Sequence, residues 1–265
     1  MNHRWIELQG AANVRDLGGL PTTDGGQTVP RRLLRADNLQ DLSPSDLTTL
    51  VTDIRVTTVV DLRSTGELRS EGPAPLDSVP GVRHVHRPVL PESGLSTDAA
   101  ADALLVRSQR NNDWYPADPI CGHYLGYLED RPDQFVAALR DIATSLGATM
   151  VHCAAGKDRT GVLVALALRA VGVRPEAVVA DYVATGERIA AVLDRLRRSP
   201  TYCDDVNSKS VDSQRPRPET MAMFLGEIDS QHGGVVRWLA ARGFSDEDLR
   251  RLRARLRDVG GAVPA

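Results

Sequence analysis

The chain has 265 residues, of which 42% are hydrophobic, with a formal net charge of −3 and a pI near 6.1. This length fits one large α/β domain, and the apolar content is enough for a sizeable core. The charge balance argues against nucleic acid as the main partner. The longest apolar run is too short to span a bilayer, and the N-terminal residues lack an apolar signal core. We therefore expect a cytoplasmic protein without stable membrane insertion, with export by another route left open.

The cysteines and histidines argue against disulfides and metals. Cys121, Cys153 and Cys203 are odd in number and far apart, which disfavours a disulfide framework and fits a reduced compartment. His84 and His86 have the only metal-like spacing, and we interpret them as polar residues on one face of a strand. We expect no metal and no cofactor.

The predicted elements alternate between strands and helices. In chain order, extended segments are predicted at two short pieces within 13–39 joined by a turn at Asp24-Gly25-Gly26, at 56–61, at 82–90 and at 148–153. Helices are predicted from Ser43-Pro44, over about 97–108, over 119–146 with a break at Pro132, from Arg159 to about 171, from Pro175 to about 198, and three times after residue 218, the last opened by Ser245. Residues 199–218 are predicted to form a long polar loop. The alternation predicts an α/β fold with a largely parallel central sheet flanked by helices.

The stretch "VHCAAGKDRTGV", residues 151–162, carries the strongest chemical signal. A tight loop at a helix N-terminus can surround the oxygens of a phosphate with backbone N–H groups. Ala154, Ala155 and Gly156 are small enough for such a loop, and Gly156 can adopt a positive φ. Arg159 can bind two phosphate oxygens with its planar guanidinium, and Cys153 lies at the floor as a thiolate nucleophile. We also expect Thr160 to donate its hydroxyl to the sulfur and Gly161 to let the helix pack closely on the strand.

Two other interpretations of this stretch are disfavoured. A nucleotide-binding loop needs G-x-x-x-x-G-K-[ST]. Here no glycine stands six residues before Lys157, Cys153 lies four residues before it, and Asp158 follows it. A cysteine at a strand end is often a small core residue, but cysteine, glycine and arginine at offsets 0, 3 and 6 form a specific pattern.

These residues resemble the H-C-x-x-G-x-x-R-[ST] signature of cysteine-dependent protein tyrosine phosphatases. The chain is more narrowly similar to the bacterial branch with H-C-x-A-G-K-D-R-T-G, which includes secreted mycobacterial enzymes that also act on phosphoinositides. Most of the chain shares the resemblance, through "NVRDLGG" at 13–19, "LLRADNL" at 33–39, "VVDLRS" at 59–64 and "VVADYVAT" at 178–185.

The resemblance implies a fold and a set of active-site residues. It implies a tyrosine-phosphatase-like fold, Cys153 as nucleophile, Arg159 as phosphate clamp, and Lys157 and Asp158 as active-site residues. The predicted phosphate-binding residues are Ala154, Ala155, Gly156, Lys157, Asp158, Arg159 and Thr160. It also implies a helical lid within about 186–230 of a single domain spanning 1–265. The polar segment 199–218 departs from the branch, which leaves the substrate range open.

The general acid has two candidates. Asp158 lies in the loop, and Asp61 ends a neighbouring strand, at the sheet edge where ligands bind in parallel α/β folds. We assign Asp158 as the acid and Asp61 as the residue that holds Arg159, and the reverse assignment stays open. Asp61 as a helix cap or sheet-end charge is a further interpretation. Arg15 and Asp16 are expected to form a structural ion pair under the loop.

The sequence therefore predicts a phosphomonoester hydrolase, a tyrosine-protein phosphatase acting through a phosphocysteine intermediate. Phosphoinositides or a small phosphorylated metabolite are alternative substrates, and the Arg-rich surroundings of Lys157 favour multiply charged ones. A non-catalytic phospho-binding module is an alternative of another class, disfavoured by the intact cysteine, arginine and aspartate. A rhodanese-like sulfur transferase is a third, disfavoured because its loop need not end in Arg-Thr-Gly. The partners expected are phosphorylated protein, lipid or small molecule, and the chain is expected to be a monomer.

Overall fold

The computed structural model describes residues 4–90, 118–207 and 209–258. The strands are β1 (Arg4–Trp5), β2 (Arg15–Asp16), β3 (Gln27–Thr28), β4 (Leu33–Ala36), β5 (Val56–Asp61), β6 (Arg83–His86), β7 (Ala148–His152) and β8 (Arg257–Asp258). The helices are α1 (Pro44–Thr48), α2 (Thr65–Glu71), α3 (Pro119–Asp130), α4 (Pro132–Thr144), α5 (Asp158–Ala170), α6 (Pro175–Ala184), α7 (Ile189–Leu196), α8 (Cys203–Asn207), α9 (Pro218–His232), α10 (Val235–Ala240) and α11 (Asp246–Leu256). Single helical turns lie at Thr49–Asp53, Pro75–Ser78, Thr185–Glu187 and Asp212–Gln214.

The central sheet has six strands in the order β1-β2-β4-β7-β5-β6. The four strands β4, β7, β5 and β6 run parallel, and β1 and β2 add an antiparallel edge. Strands β3 and β8 pair separately. The predicted α/β fold with a largely parallel sheet is thus confirmed.

Both faces of the sheet are covered, because successive strand residues point to opposite sides. Val60 and Val151 belong to the larger core cluster, which includes residues of α3, α5 and α9. Val59 and Met150, one residue earlier on the same strands, belong to a second cluster beside α1. Burial of both faces explains why β5 and β7 carry apolar side chains on both sides of the sheet.

The carboxyl ends of three parallel strands meet at one edge. Asp61 of β5 and Ala36 of β4 both pair with His152 of β7. The segments that follow these strands therefore lie side by side, at the edge where ligands bind in such sheets.

Most predicted elements are confirmed. Ser43 caps α1 and Ser245 caps α11, each in a reciprocal capping box. The predicted helix 119–146 is α3 and α4, separated at Arg131. The helix predicted at 97–108 lies outside the described residues. No helix in the described ranges is long and apolar enough to cross a membrane.

The helix predicted from Pro175 to about 198 is wrong in one respect, because it is broken at Thr185–Glu187. The break turns α7 onto the loop that follows β7. The polar segment after it contains α8 and the turn Asp212–Gln214 rather than only loop.

A third apolar cluster joins this region to the loop after β7. It consists of Ala154, Ile189, Val192, Leu193, Leu196, Tyr202 and Val206. We call residues 189–214 the cover segment. The lid predicted within 186–230 stays a prediction, and α9 in that interval contributes Phe224 and Ile228 to the larger core.

Candidate active site

Cys153 follows β7 directly and is 2% exposed. The chain then turns through four residues and enters α5, whose first residue is Asp158. The loop therefore lies between the strand end and the helix N-terminus, as the sequence predicts.

The carbonyl groups of this loop point outward and are held by residues from elsewhere. The Asn38 backbone N–H donates to Ala154 O at 2.8 Å. Asn13 Nδ2 donates to the carbonyls of Ala155 and Gly156, at 3.0 and 3.2 Å. No described peptide bond is cis, and in a trans peptide the N–H points opposite to the carbonyl. The loop N–H groups thus face its interior, as a phosphate ring requires.

Two features of the structure, a positive φ and a close backbone contact, require glycine at position 156. Its φ is +64°, which disfavours any residue with a side chain. A Cβ at this position would lie 2.3 Å from the carbonyl oxygen of Ala36. The glycine of the motif therefore lets the loop curl and lie against the end of β4.

Arg159 is held by Glu67 and not by Asp61, which corrects the predicted role of Asp61. Arg159 Nη1 and Nη2 donate to the two carboxylate oxygens of Glu67 at 2.6 and 2.8 Å. Burial alone would lower the pKa of Arg159, but the Glu67 charge outweighs it and holds that pKa well above its usual value. Three of the five guanidinium N–H groups lie outside this ion pair.

Asp61 instead belongs to a local group of charges. Arg63 Nη2 donates to Asp61 Oδ2 at 2.6 Å, and the Arg63 backbone N–H donates to Oδ1 at 2.9 Å. His152 Nε2 lies 3.5 Å from Asp61 Oδ2. Burial alone would raise the pKa of Asp61, but His152 and Arg63 outweigh it and hold that pKa well below its usual range.

Asp158 is one-third exposed, with a side-chain exposure of 34%. The Tyr124 hydroxyl donates to its Oδ1 at 2.6 Å, and Lys157 Nζ lies 3.7 Å from Oδ2. Of the two candidate acids, Asp158 is thus the more exposed and pairs with no arginine of the described residues.

Lys157 connects the loop to the cover segment. Its side chain is buried, and Nζ donates to the backbone carbonyl of Gln214 at 3.1 Å and lies 3.4 Å from Gln214 Oε1. Arg195 of α7 pairs with Asp37 and with Asp41, 3.2 Å from the latter. The cover segment therefore contacts both the loop itself, through Lys157, and the segment that follows β4, through Asp37 and Asp41.

Two smaller expectations in the loop are wrong. Thr160 Oγ1 is buried and has no hydrogen-bond partner among the described residues, so the expected bond to the Cys153 sulfur is not formed. A Cβ on Gly161 would lie 3.2 Å from the ring of Tyr182. This glycine gives room mainly to Tyr182 of α6, and Arg35 Nη2 of β4 would lie 3.7 Å from that Cβ.

The expected ion pair between Arg15 and Asp16 is also wrong. On β2 successive side chains point to opposite faces, and Arg15 Nε donates to Asp181 Oδ1 at 2.8 Å. Arg35 donates to Asp181 Oδ2 and to the carbonyl of Gly156, both at 2.6 Å. Burial alone would raise the pKa of Asp181, but the two arginines lower it.

Sequence reasoning missed Glu67, Asp181, Asn13 and Arg35 as supports of the loop. The segments "NVRDLGG", "LLRADNL" and "VVADYVAT" contain three of them and are the signal that could have found them. Glu67 has no such signal, apart from its position three residues after the N-cap Ser64.

Metal-binding potential is low in this part of the molecule. Within the described ranges, no group of three or more His, Cys, Asp or Glu side chains could hold a metal ion. His84 Nε2 lies 3.0 Å from the Leu76 carbonyl and His86 Nε2 2.7 Å from the Arg63 carbonyl, so the two rings have separate partners.

The fold and site together define a class: an α/β protein with a cysteine and an arginine around an anion-binding loop at a helix N-terminus. Residues 6–258 match the model of the tyrosine phosphatase family, and the chain belongs to that family. Its class as a cysteine-dependent phosphatase of the protein-tyrosine-phosphatase type is thereby confirmed.

Two relatives illustrate the similarity. The chain is 30% identical to the triple specificity protein phosphatase PtpB of Mycobacterium tuberculosis, over 93% of this chain and 97% of the relative. It is 27% identical to a tyrosine-protein phosphatase of Nostoc commune, over 54% of this chain and 51% of the relative.

Proposed function

We propose that this chain hydrolyses the phosphate monoester of phosphotyrosine in proteins, through a phosphocysteine intermediate. The observation that supports this most is the loop itself, with outward carbonyls, Cys153 at its base and Arg159 clamped beside it. Inward N–H groups and a guanidinium stabilise the charge on the equatorial oxygens in the transition state.

In the first step the Cys153 thiolate attacks phosphorus, a sulfur–phosphorus bond forms, and the bond to the leaving oxygen breaks. Asp158 gives its proton to that oxygen. In the second step a water attacks phosphorus, Asp158 takes a proton from the water, and the sulfur leaves as thiolate. Asp61 suits neither proton transfer, because its lowered pKa keeps it ionised and Arg63 occupies both of its oxygens.

A wider substrate range is the second candidate. The Mycobacterium tuberculosis relative is named for triple specificity, and this chain aligns with nearly all of it. Phosphoinositides or a small phosphorylated metabolite thus stay alternatives to phosphotyrosine. A screen of phosphate release over phosphotyrosine peptides, phosphoinositides, and sugar or nucleoside phosphates distinguishes them. The cytoplasmic location, the monomeric state and independence of metal stay predictions from sequence.

Cys153→Ser should abolish phosphate release while leaving the binding of vanadate or phosphate largely intact, because the ring and Arg159 are untouched. The measurement is single-turnover phosphate release together with calorimetric binding. Cys203→Ser is the matched control, since Cys203 lies on the cover segment and is partly exposed, and it should retain activity. Phosphate release by a clean Cys153→Ser preparation contradicts the mechanism, and binding without turnover by the unaltered chain supports a phospho-binding module.

A further inference from the structure

Two buried tyrosines form a hydrogen-bonded chain that ends on Asp158. The Tyr124 hydroxyl donates to Asp158 Oδ1 at 2.6 Å and lies 2.8 Å from the Tyr182 hydroxyl. A tyrosine hydroxyl has one proton. Because Tyr124 gives its proton to Asp158, the bond between the two tyrosines runs from Tyr182 to Tyr124.

Packing fixes the positions of the two tyrosine hydroxyl oxygens. Tyr124 is fully buried, and its ring meets those of Tyr182 and Phe224 edge to face at 6.2 and 5.8 Å. Tyr127 stacks on it at 6.1 Å. The Tyr182 ring lies against Gly161, where a Cβ would come within 3.2 Å. Neither hydroxyl oxygen can leave its position without moving a packed ring.

The bond from Tyr124 occupies one oxygen of Asp158 and leaves the other for chemistry. Oδ1 accepts from Tyr124, whereas Oδ2 lies toward Lys157 at 3.7 Å. A hydrogen bond to an ionised carboxylate is stronger than one to the neutral acid. The Tyr124 bond therefore strengthens as Asp158 gives up its proton, which favours the transfer.

We propose that Tyr124, supported by Tyr182, is a positioning residue that assigns proton transfer to Oδ2 of Asp158. This inference rests on the proposed role of Asp158 as general acid. In the first step the O–H bond at Oδ2 breaks and the proton goes to the leaving oxygen, while Oδ1 keeps its bond from Tyr124. Among the described residues, the groups that face Asp158 and this chain are Lys157, the two tyrosines, and, acting on Tyr182, Arg35 and Asp118.

The test is Tyr124→Phe, which removes the donor and keeps the ring. We expect kcat/KM for an alkyl phosphate, which reports the first step, to fall about tenfold, as for the loss of one hydrogen bond to a charged group. For an aryl phosphate with a good leaving group kcat/KM should stay unchanged, because that group leaves without a proton. The basic limb of the pH–rate profile should move to higher pH. Tyr182→Phe should have a smaller effect in the same direction. Tyr127→Phe, from the same aromatic cluster, should change neither the rate on alkyl phosphates nor the basic limb of the pH–rate profile.

The outcomes separate the inference from the proposed function. If Asp158→Asn itself lacks leaving-group dependence, the acid role fails and the inference fails with it. If Asp158→Asn shows that dependence while Tyr124→Phe behaves like Tyr127→Phe, only the inference is overturned. An equal loss for all substrates with an unmoved basic limb also overturns it, because a merely structural role predicts that result. In the double variant with Asp158→Asn, Tyr124→Phe should add no further leaving-group effect. If Tyr124→Phe fails to fold, Tyr182→Phe decides by the same two measurements.

Discussion

Glu67 determines where the guanidinium of Arg159 points. The bidentate ion pair at 2.6 and 2.8 Å fixes the plane of the guanidinium, and both side chains are largely buried. Glu67 also caps its own helix, because one of its oxygens accepts from the Ser64 backbone N–H at 2.7 Å. The start of α2 and the phosphate clamp are therefore positioned by one carboxylate.

Glu67→Gln should lower kcat/KM about 100-fold for aryl and alkyl phosphates alike, because a misplacement of about 1 Å can cost that much and proton transfer is untouched. The measurement is steady-state kinetics on both classes of substrate. Glu71→Gln is the matched control: Glu71 lies one turn later, bonds to Asn38 and Ser199, and should have a small effect. A loss restricted to alkyl phosphates contradicts this role for Glu67.

The assignment of the chemistry to residues of the motif stays a prediction, whereas the residues that hold the motif are not predicted from the sequence. Cys153, Asp158 and Arg159 lie within one stretch, so their spacing alone predicts a common site. The partner of Arg159 depends on how α2 packs, and Asp61 and Glu67 are only six residues apart. Asp61 instead pairs with Arg63, two residues along the chain. No periodic pattern in the sequence predicts such a local ion pair.

At the scale of elements, α6 supports the loop and the acid through two consecutive residues. Asp181 holds Arg15 and Arg35, and Arg35 in turn holds the carbonyl of Gly156. Tyr182 bonds to Tyr124, which bonds to Asp158. One turn of one helix thus supports both the loop after β7 and Asp158, the proposed proton donor.

Asp181→Asn should lower the free energy of unfolding by about 3–5 kcal/mol, because it leaves two buried guanidinium groups without a counter-charge. Urea denaturation measures this change. Asp16→Asn is the matched control, since Asp16 accepts from the backbone N–H groups of Gly18 and Arg31 near the surface, and its loss should be about 1 kcal/mol. Equal losses in the two variants contradict the buried role of Asp181.

Elements with strong local signals are predicted well from the sequence. Apolar runs predict β5 and β7, and serine caps predict the starts of α1 and α11. The break at Thr185–Glu187 is not predicted, because the apolar residues of α7 continue the helical pattern. Their partner is Ala154 of the loop, a tertiary contact that periodicity in a single sequence does not contain.

At the scale of the whole molecule, the site lies where three parallel strands end. A buried group of titratable side chains, His152, Asp61 and Arg63, lies at the same strand ends. His152, at the end of β7, is almost fully buried and lies beside Asp61. Burial lowers the pKa of His152 to about 4, despite the neighbouring carboxylate. The strand end that carries the nucleophile thus contains a histidine that folds in its neutral form.

The unfolding free energy should decrease as pH falls from about 6.5 to 4. The unfolded imidazole takes up a proton near its ordinary pKa of about 6.5, whereas the folded one does so only near 4. The unfolded state therefore binds more protons in this window, and stability is lost by up to about 3 kcal/mol. Denaturant titrations at a series of pH values measure this change.

His152→Asn should flatten this dependence above pH 5, where most carboxylates are still ionised. His232→Gln should flatten it much less: burial and Arg242 also lower the pKa of His232, but this side chain lies at the surface. A wild-type stability that is constant from pH 6.5 to 5 contradicts the assignment.

The outward carbonyls of the loop have a consequence for the order of folding. Their donors are distant along the chain, since Asn13 and Arg35 lie 142 and 121 residues from the carbonyls that they hold. Arg15 in turn pairs with Asp181, which lies 166 residues further along the chain. Such long-range closures cost chain entropy and form late. A chain emerging from the ribosome therefore has its complete signature motif well before it has a phosphate site, and oxyanion binding reports the completed fold.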